Sequence, residues 1–104
     1  MPRSAHARHK WETQAATAGT WQGTIGQGRV LKEFVQVAVQ VGTATAFDIE
    51  IWDGDDVKIY EEEGLTEDYV EHFSVATSPM PHTIKLTSVS PAEGTFDLIR
   101  LTYG

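Results

Sequence analysis

Eight of the eighteen residues from Phe47 to Gly64 are acidic, in the run FDIEIWDGDDVKIYEEEG. Carboxylates at this density could bind a metal ion, or two of them could act as the acid and base of a glycoside hydrolase. They could also line solvated turns. The choice depends on the elements that hold them, because metal ligands and catalytic carboxylates must converge on one point.

Strand parity predicts that this run is a hairpin. Apolar residues alternate with polar ones on both sides of DGDD, so Ile51 and Ile59 share the core face and Gly54 to Asp56 form a three-residue loop. In this register Trp52 points outward. The predicted cross-strand pairs are Ile51 with Ile59, Asp53 with Val57, Trp52 with Lys58 and Glu50 with Tyr60.

The hairpin separates the acidic residues into two clusters, DGDD at the tip and EEEG beyond the second strand. They fall about 16 Å apart at some 3.3 Å per residue, so one ion cannot bind both. An EF-hand loop that began at Asp53 would have Val57, Lys58 and Gly64 at positions that need other residues. We predict solvated turns, without a metal ion or another cofactor. A weak calcium site at the hairpin tip is the alternative.

Other residues with catalytic potential lack the necessary context. The two histidines of HARH have no helix to place both rings on one face. His72, Ser74 and Asp68 are the residue types of a catalytic triad, but no nucleophile elbow surrounds them. GTIGQG has neither a strand before it nor an amphipathic helix after it, as a dinucleotide loop requires. We therefore predict that the protein is not an enzyme.

Composition predicts one domain. The chain has 104 residues, 40% of them hydrophobic, which suffices for a single core, and it has no cysteine for a disulfide or a thiolate metal site. The start MPRSAHARHK has no apolar stretch behind it, and no segment approaches about 18 continuous apolar residues. We expect neither a cleaved signal peptide nor a membrane partner.

The net charge of -7 conceals an uneven distribution. Arg3, Arg8 and Lys10 give the first ten residues a charge of +3, so the other residues, with 5 basic and 15 acidic side chains, carry -10. Nucleic-acid affinity depends on neutralised phosphates, and three contacts support only weak, salt-sensitive binding. We expect no nucleic-acid partner.

The rest of the chain shows the period of two that is typical of half-buried strands, as in Val35, Val37, Val39 and Val41. No window of ten or more residues keeps a helical period, and GLTEDYVEHF is the best helix candidate. The predicted fold is an all-β, antiparallel β-sandwich of jelly-roll type at residues 29–104, preceded by an extended N-terminal arm at residues 1–28. Strands are predicted in RVLKEFVQVAVQVG, TATAFDIEIW and VKIY and around Tyr69 to Ala76, His82 to Val89 and Thr95 to Tyr103.

The arm contains two tryptophans, Trp11 and Trp21, in an otherwise polar, glycine-rich segment. Large aromatic residues in such a segment are typical anchors for a pocket on a partner. The arm could instead fold back, with the two tryptophans covering an open edge of the sandwich. We expect the sandwich to fold without residues 1–21. The predicted partner-binding residues are Arg3, Arg8, Lys10, Trp11, Trp21 and Trp52.

The segment Val30 to Tyr103 resembles small β-sandwich structural proteins of tailed bacteriophage virions. In such proteins an FDIEI-like strand leads to an acidic hairpin, a YE-x-E-G run, an L-x-I-K-[IL]-T strand and a last FDLEI-like strand. The loop before the IKLT strand, long in many of them, is only ATSPMP in this chain. The corresponding elements are Phe47 to Ile51, Tyr60 to Gly64, Ile84 to Thr87 and Phe96 to Leu101.

The resemblance implies a non-enzymatic virion protein that is assembled in the host cytoplasm. A capsid decoration or head-stabilising protein is the first expectation, and a tail or neck piece is the second. Its partners would be the major capsid protein or other virion proteins, together with copies of itself in a homo-oligomer. A different class of function is also open: Trp52, Tyr60 and Tyr69 could form the stacking surface of a carbohydrate- or receptor-binding module.

Overall fold

The computed structural model describes residues 7–26, 30–73 and 77–104, which form strands and turns and contain no helix. None of these residues therefore belongs to a helix long and apolar enough to cross a membrane. The strands are β1 (Ala7–Ala15), β2 (Trp21–Ile25), β3 (Leu31–Val41), β4 (Ala46–Trp52), β5 (Lys58–Leu65), β6 (Tyr69–His72), β7 (Thr77–Pro79), β8 (His82–Ser90) and β9 (Thr95–Tyr103).

The strands form two antiparallel sheets. The first has the order β1-β9-β3-β6, with the short β7 also beside β3, and the second has the order β2-β8-β4-β5. Every pair of neighbouring strands is antiparallel. This confirms the predicted all-β class and its antiparallel pairing.

The core is built by the alternation that the sequence shows. Along β4 every second residue is buried, and β8 follows the same pattern from His82 to Thr87. Phe47 and Phe96 meet edge to face, with ring centroids 5.4 Å apart. Burial of each large apolar side chain stabilises the fold by about 1.5 to 3 kcal/mol before entropy is counted. The fully buried large side chains are Phe47, Phe96, Ile49, Ile51, Ile84, Leu86, Ile99, Leu101, His82, Val37 and Val39.

The predicted boundary at residue 28 is wrong for the described part of the N-terminal segment. Its residues 7–25 form β1 and β2, which pair with β9 and β8 and so belong to the two sheets. Ala16 and Ile25 lie in the core. Along β2 buried and exposed residues alternate, whereas β1 shows no clear alternation, because most of its residues are exposed.

The hairpin between β4 and β5 matches the prediction at its tip and departs from it further along. Trp52 pairs with Lys58 as predicted, and the Asp53 amide donates to the Val57 carbonyl at 2.9 Å. A register shift next to this pair then places Ile51 opposite Tyr60 instead of Ile59. Glu50 consequently pairs with Glu61 instead of Tyr60, and β5 continues through EEEG to Leu65. The second acidic cluster therefore lies on a strand.

Candidate partner-binding surfaces

Trp11 and Trp21 close one side of the core between the two sheets. Trp11 lies on β1 at the edge of the first sheet, and Trp21 lies on β2 at the edge of the second. Their rings meet edge to face with centroids 5.2 Å apart. Gly23 makes this possible, because a Cβ atom there would come within 2.7 Å of both indoles. The Trp21 indole also donates to Gln14 Oε1 at 3.1 Å.

Both tryptophans are half-buried and pack against the hydrophobic core of their own chain. The sequence left two interpretations of the N-terminal segment open. In the structure its residues 7–25 fold back onto the edges of the two sheets of their own chain. Each ring is partly covered by its own chain, and the role of both tryptophans as anchors in a partner's pocket stays a prediction. Any contact of their exposed parts with a partner stays a prediction.

Basic side chains lie on the outer face of the first sheet. Arg8 and Lys10 are exposed on β1, beside Thr102 and Arg100 of β9. Lys10 forms a 2.9 Å ion pair with Glu12. Arg100, which the sequence analysis did not select, donates to Gln36 Oε1 at 2.8 Å. Arg3 lies outside the described residues.

Trp52 lies on the outer face of the second sheet, as predicted. Its indole donates to Glu50 Oε1 at 2.9 Å, and its ring is half-buried. The ammonium of Lys85 lies 4.6 Å from the ring centroid and that of Lys58 lies 5.8 Å from it, both within cation–π range. These contacts hold the ring in place while part of it faces solvent. We call Trp52, Glu50, Lys58 and Lys85 the Trp52 face.

Lys85 also borders a surface depression of about 280 Å³ next to the Trp52 face. Local sequence patterns do not place Lys85 beside Trp52, because β8 reaches β4 only through a long-range pairing. The residues that line the depression are Thr20, Trp21, Gln22, Lys85, Leu86 and Thr87.

Tyr60 and Tyr69 lie at the opposite edges of the two sheets. They lie on β5 and β6, edge strands of different sheets, and their hydroxyl groups are hydrogen-bonded to each other. Phe73 meets Tyr60 edge to face at 4.9 Å. Burial raises the pKa of both phenols above the ordinary value. Because both tyrosines pack against the core, they do not share a surface with the outward-facing Trp52, and the predicted three-ring stacking surface is wrong.

The tip of the acidic hairpin is a turn, as predicted. Asp53 Oδ1 accepts the backbone amides of Asp55 at 2.8 Å and Val57 at 3.2 Å, and Asp56 has a positive φ of 58°. Aspartate suits this position because its carboxylate bonds the backbone two residues further on. In the part of the chain that the structure describes, no group of three or more His, Cys, Asp or Glu residues could hold a metal ion.

A serine and a histidine meet in the interior, at a place that the sequence analysis did not identify. Ser78 Oγ and His82 Nε2 are 2.7 Å apart, with side chains on β7 and β8. His82 has no exposed surface and Ser78 is 9% exposed. Because the pair is enclosed, a substrate cannot reach it, and we interpret it as a polar contact within the core. Of the triad residue types that the sequence analysis set aside, Asp68 accepts the Val41 amide, His72 is hydrogen-bonded to Gln36, and Ser74 lies outside the described residues.

We expect the protein to lose stability in acid because His82 is buried. Burial lowers its pKa below the ordinary 6.5, and the nearby Asp53 carboxylate offsets part of this effect. The unfolded chain therefore binds a proton more readily than the folded one, so the free energy of unfolding falls as pH drops below about 6.5 and through the folded pKa. Urea unfolding of the wild type and of His82→Gln at pH 7 and pH 5 measures this. A wild type that loses no more stability than His82→Gln between the two pH values would refute it.

Comparison with known proteins does not assign the chain to a family. No family model and no curated protein matches it. Among solved structures, it is similar to dimeric latent PorU from Porphyromonas gingivalis, with 7% sequence identity and a TM-score of 0.44 over 94% of this chain. The chain spans 12% of the length of that PorU chain. A similarity of this size supports no functional conclusion.

Proposed function

We propose that the two sheets form a sandwich of the jelly-roll type. The pairs β1 with β9, β2 with β8, β3 with β6 and β4 with β5 support this. In each pair a strand from the first half of the chain runs antiparallel to one from the second half, in nearly reversed order. The chain thus has the connectivity of one long hairpin wound into two sheets, a plan common in viral capsid and lectin domains.

We propose that the protein is a non-enzymatic structural component of a tailed bacteriophage virion, most specifically a capsid decoration or head-stabilising protein. The phage-like sequence elements support this, because Phe47 to Ile51 lie on β4 and Ile84 to Thr87 lie on β8, side by side in one sheet. Tyr60 to Gly64 lie on β5, the other neighbour of β4. Three of the four elements therefore lie on neighbouring strands of one sheet.

The observation that carries the proposal is the Trp52 face, which lies on that same sheet. Interface hot spots are enriched in tryptophan, and flanking polar residues that exclude water strengthen them. Glu50, Lys58 and Lys85 surround Trp52 with both signs of charge. We propose that this face binds the major capsid protein or another virion protein. The N-terminal segment then contributes to attachment through its exposed basic residues, while its tryptophans close the fold.

Trp52→Ala tests the proposed attachment. The indole lies outside the core cluster, so we expect a folded protein with a loss of about 1 to 3 kcal/mol of stability. Binding to undecorated heads of the source phage should weaken at least about 30-fold, the size of a hot-spot effect. Cosedimentation measures it. Thr24→Ala is the matched control, because Thr24 also faces outward on this sheet, two strands from Trp52, and its hydroxyl is hydrogen-bonded to that of Thr83 in the strand between them.

Full binding by Trp52→Ala would contradict attachment through the Trp52 face. A glycan array run with both proteins separates the alternative class of function. Oligosaccharide binding by the wild type that is lost in Trp52→Ala, without binding to heads, would replace the virion proposal with a carbohydrate-binding module that uses Trp52 as its stacking platform.

A further inference from the structure

Two long strands leave sheet edges uncovered. β1 is the last strand of the first sheet, and β5 is the last strand of the second. Among the described residues neither has a strand neighbour on its outer side. Edge strands present backbone N–H and C=O groups that can pair with another chain, and β1 and β5 are long enough, at nine and eight residues, to form a ladder.

The two edges carry opposite net charge: Arg8, Lys10 and Glu12 give β1 a charge of +1, and Lys58 with Glu61 to Glu63 gives β5 a charge of -2. On β1, Arg8 and Lys10 point to the outer face. They lie beside Thr102 and Arg100 of β9, and they alternate with His9 and Trp11, which lie beside the core residues Leu101 and Ile99. On β5, Glu61 lies beside Glu50 on the outer face. Three consecutive exposed carboxylates, Glu61 to Glu63, follow each other there.

The spacing of these charges matches. Arg8 and Lys10 are two residues apart, as are Glu61 and Glu63, and residues two apart along a strand point to the same face. Opposite charges directly across a strand pair stabilise it, whereas like charges destabilise it. A ladder between β1 and β5 of different molecules would therefore place cations opposite anions on one continuous face.

We propose that copies of this chain associate head to tail, with β1 of one copy pairing with β5 of the next. The partner is a second copy because each molecule carries both halves of the complementary contact. β5 disfavours pairing with itself, since that would place glutamates against glutamates. The remaining edges lack the complement, because β2 has no charged residue and β6 has only four residues. This inference does not depend on the virion role.

Such a contact joins different surfaces of the two molecules. Each added copy leaves a free β1 at one end of the assembly and a free β5 at the other. The assembly therefore either closes into a ring or grows as an open chain, and a two-fold symmetric dimer is not its product.

Charge reversal in two variants tests the contact. Arg8→Glu with Lys10→Glu makes both edges acidic, and Glu61→Lys with Glu63→Lys makes both edges basic. Light scattering after size-exclusion chromatography, without phage heads, should give an oligomer for the wild type and the 11.5 kDa monomer for each variant alone. An equimolar mixture of the two variants should recover the wild-type mass, because each acidic edge then meets a basic one.

Recovery in the mixture is the decisive readout, since two variants that had merely lost their fold could not restore each other. Three results would overturn the proposal: a wild type that stays monomeric at its highest soluble concentration, variants that keep the wild-type mass, or loss of assembly only when β1 is changed, which indicates a symmetric β1 dimer. Because no heads are present, failure here leaves attachment through the Trp52 face standing, and the reverse also holds.

Discussion

Deletion of residues 1–21 is expected to abolish the folded state. The deletion removes all of β1 and both tryptophans of the closed side, and it makes β9, which carries the core residues Ile99 and Leu101, an edge strand. Loss of two packed tryptophans and a nine-residue strand costs about 5 kcal/mol or more, which is comparable with the whole stability of a domain of this size. Circular dichroism and urea unfolding measure the result.

Deletion of residues 1–6 is the matched control, because it keeps every described strand, and we expect a cooperative melt near that of the wild type. A Met1–Trp21 deletion that still melts cooperatively with a β-sheet spectrum would show that the sandwich begins near Val30, as the sequence pattern alone predicts. The two deletions therefore decide whether the N-terminal strands are part of the folding unit.

The central strands could be predicted and the N-terminal edge strands could not. Val37 and Val39 on β3 alternate with outward residues, because the strand has neighbours on both sides and one buried face. On β1 only Trp11 and Gln14 are partly buried, so its sequence has no period to detect. Thr13, with a positive φ of 53°, interrupts the strand further. An edge strand is recognised by its partner strand, and the residues of β9 that pair with β1 lie 80 to 96 positions away in the sequence.

Contacts in the candidate sites also could be predicted only where they depend on neighbouring residues in the sequence. The outward direction of Trp52 and its pairing with Lys58 followed from local parity. Its closer cation, Lys85, depends on the pairing of β8 with β4, which no local pattern encodes. The predicted register of the hairpin is wrong beyond the pair of Trp52 and Lys58, because β5 has one extra residue, Ile59, at this point and the following pairs are shifted. Local chemistry was predictable, and contacts that depend on long-range pairing were not.

Trp11→Ala is expected to destabilise the protein by about 2 to 4 kcal/mol, somewhat less than truncation of a fully buried tryptophan. For a domain of about 100 residues this lowers the melting temperature by roughly 10 to 25 °C. Trp21→Ala should have a similar effect, because the two rings cover the same opening over Gly23. Differential scanning calorimetry of both single variants and of the double variant measures these losses.

The double variant distinguishes a closed edge from two independent anchors. The two rings are in contact, with centroids 5.2 Å apart, so either single substitution already removes the contact between them. The double variant should therefore lose about 0.5 to 1.5 kcal/mol less stability than the sum of the two single losses. Trp52→Ala is the control, because Trp52 lies outside the core cluster against which the other two tryptophans pack, so its effect should add to theirs. Single variants that melt with the wild type but no longer bind phage heads would restore the anchor interpretation, since tryptophans held in a partner's pocket contribute to binding and not to folding.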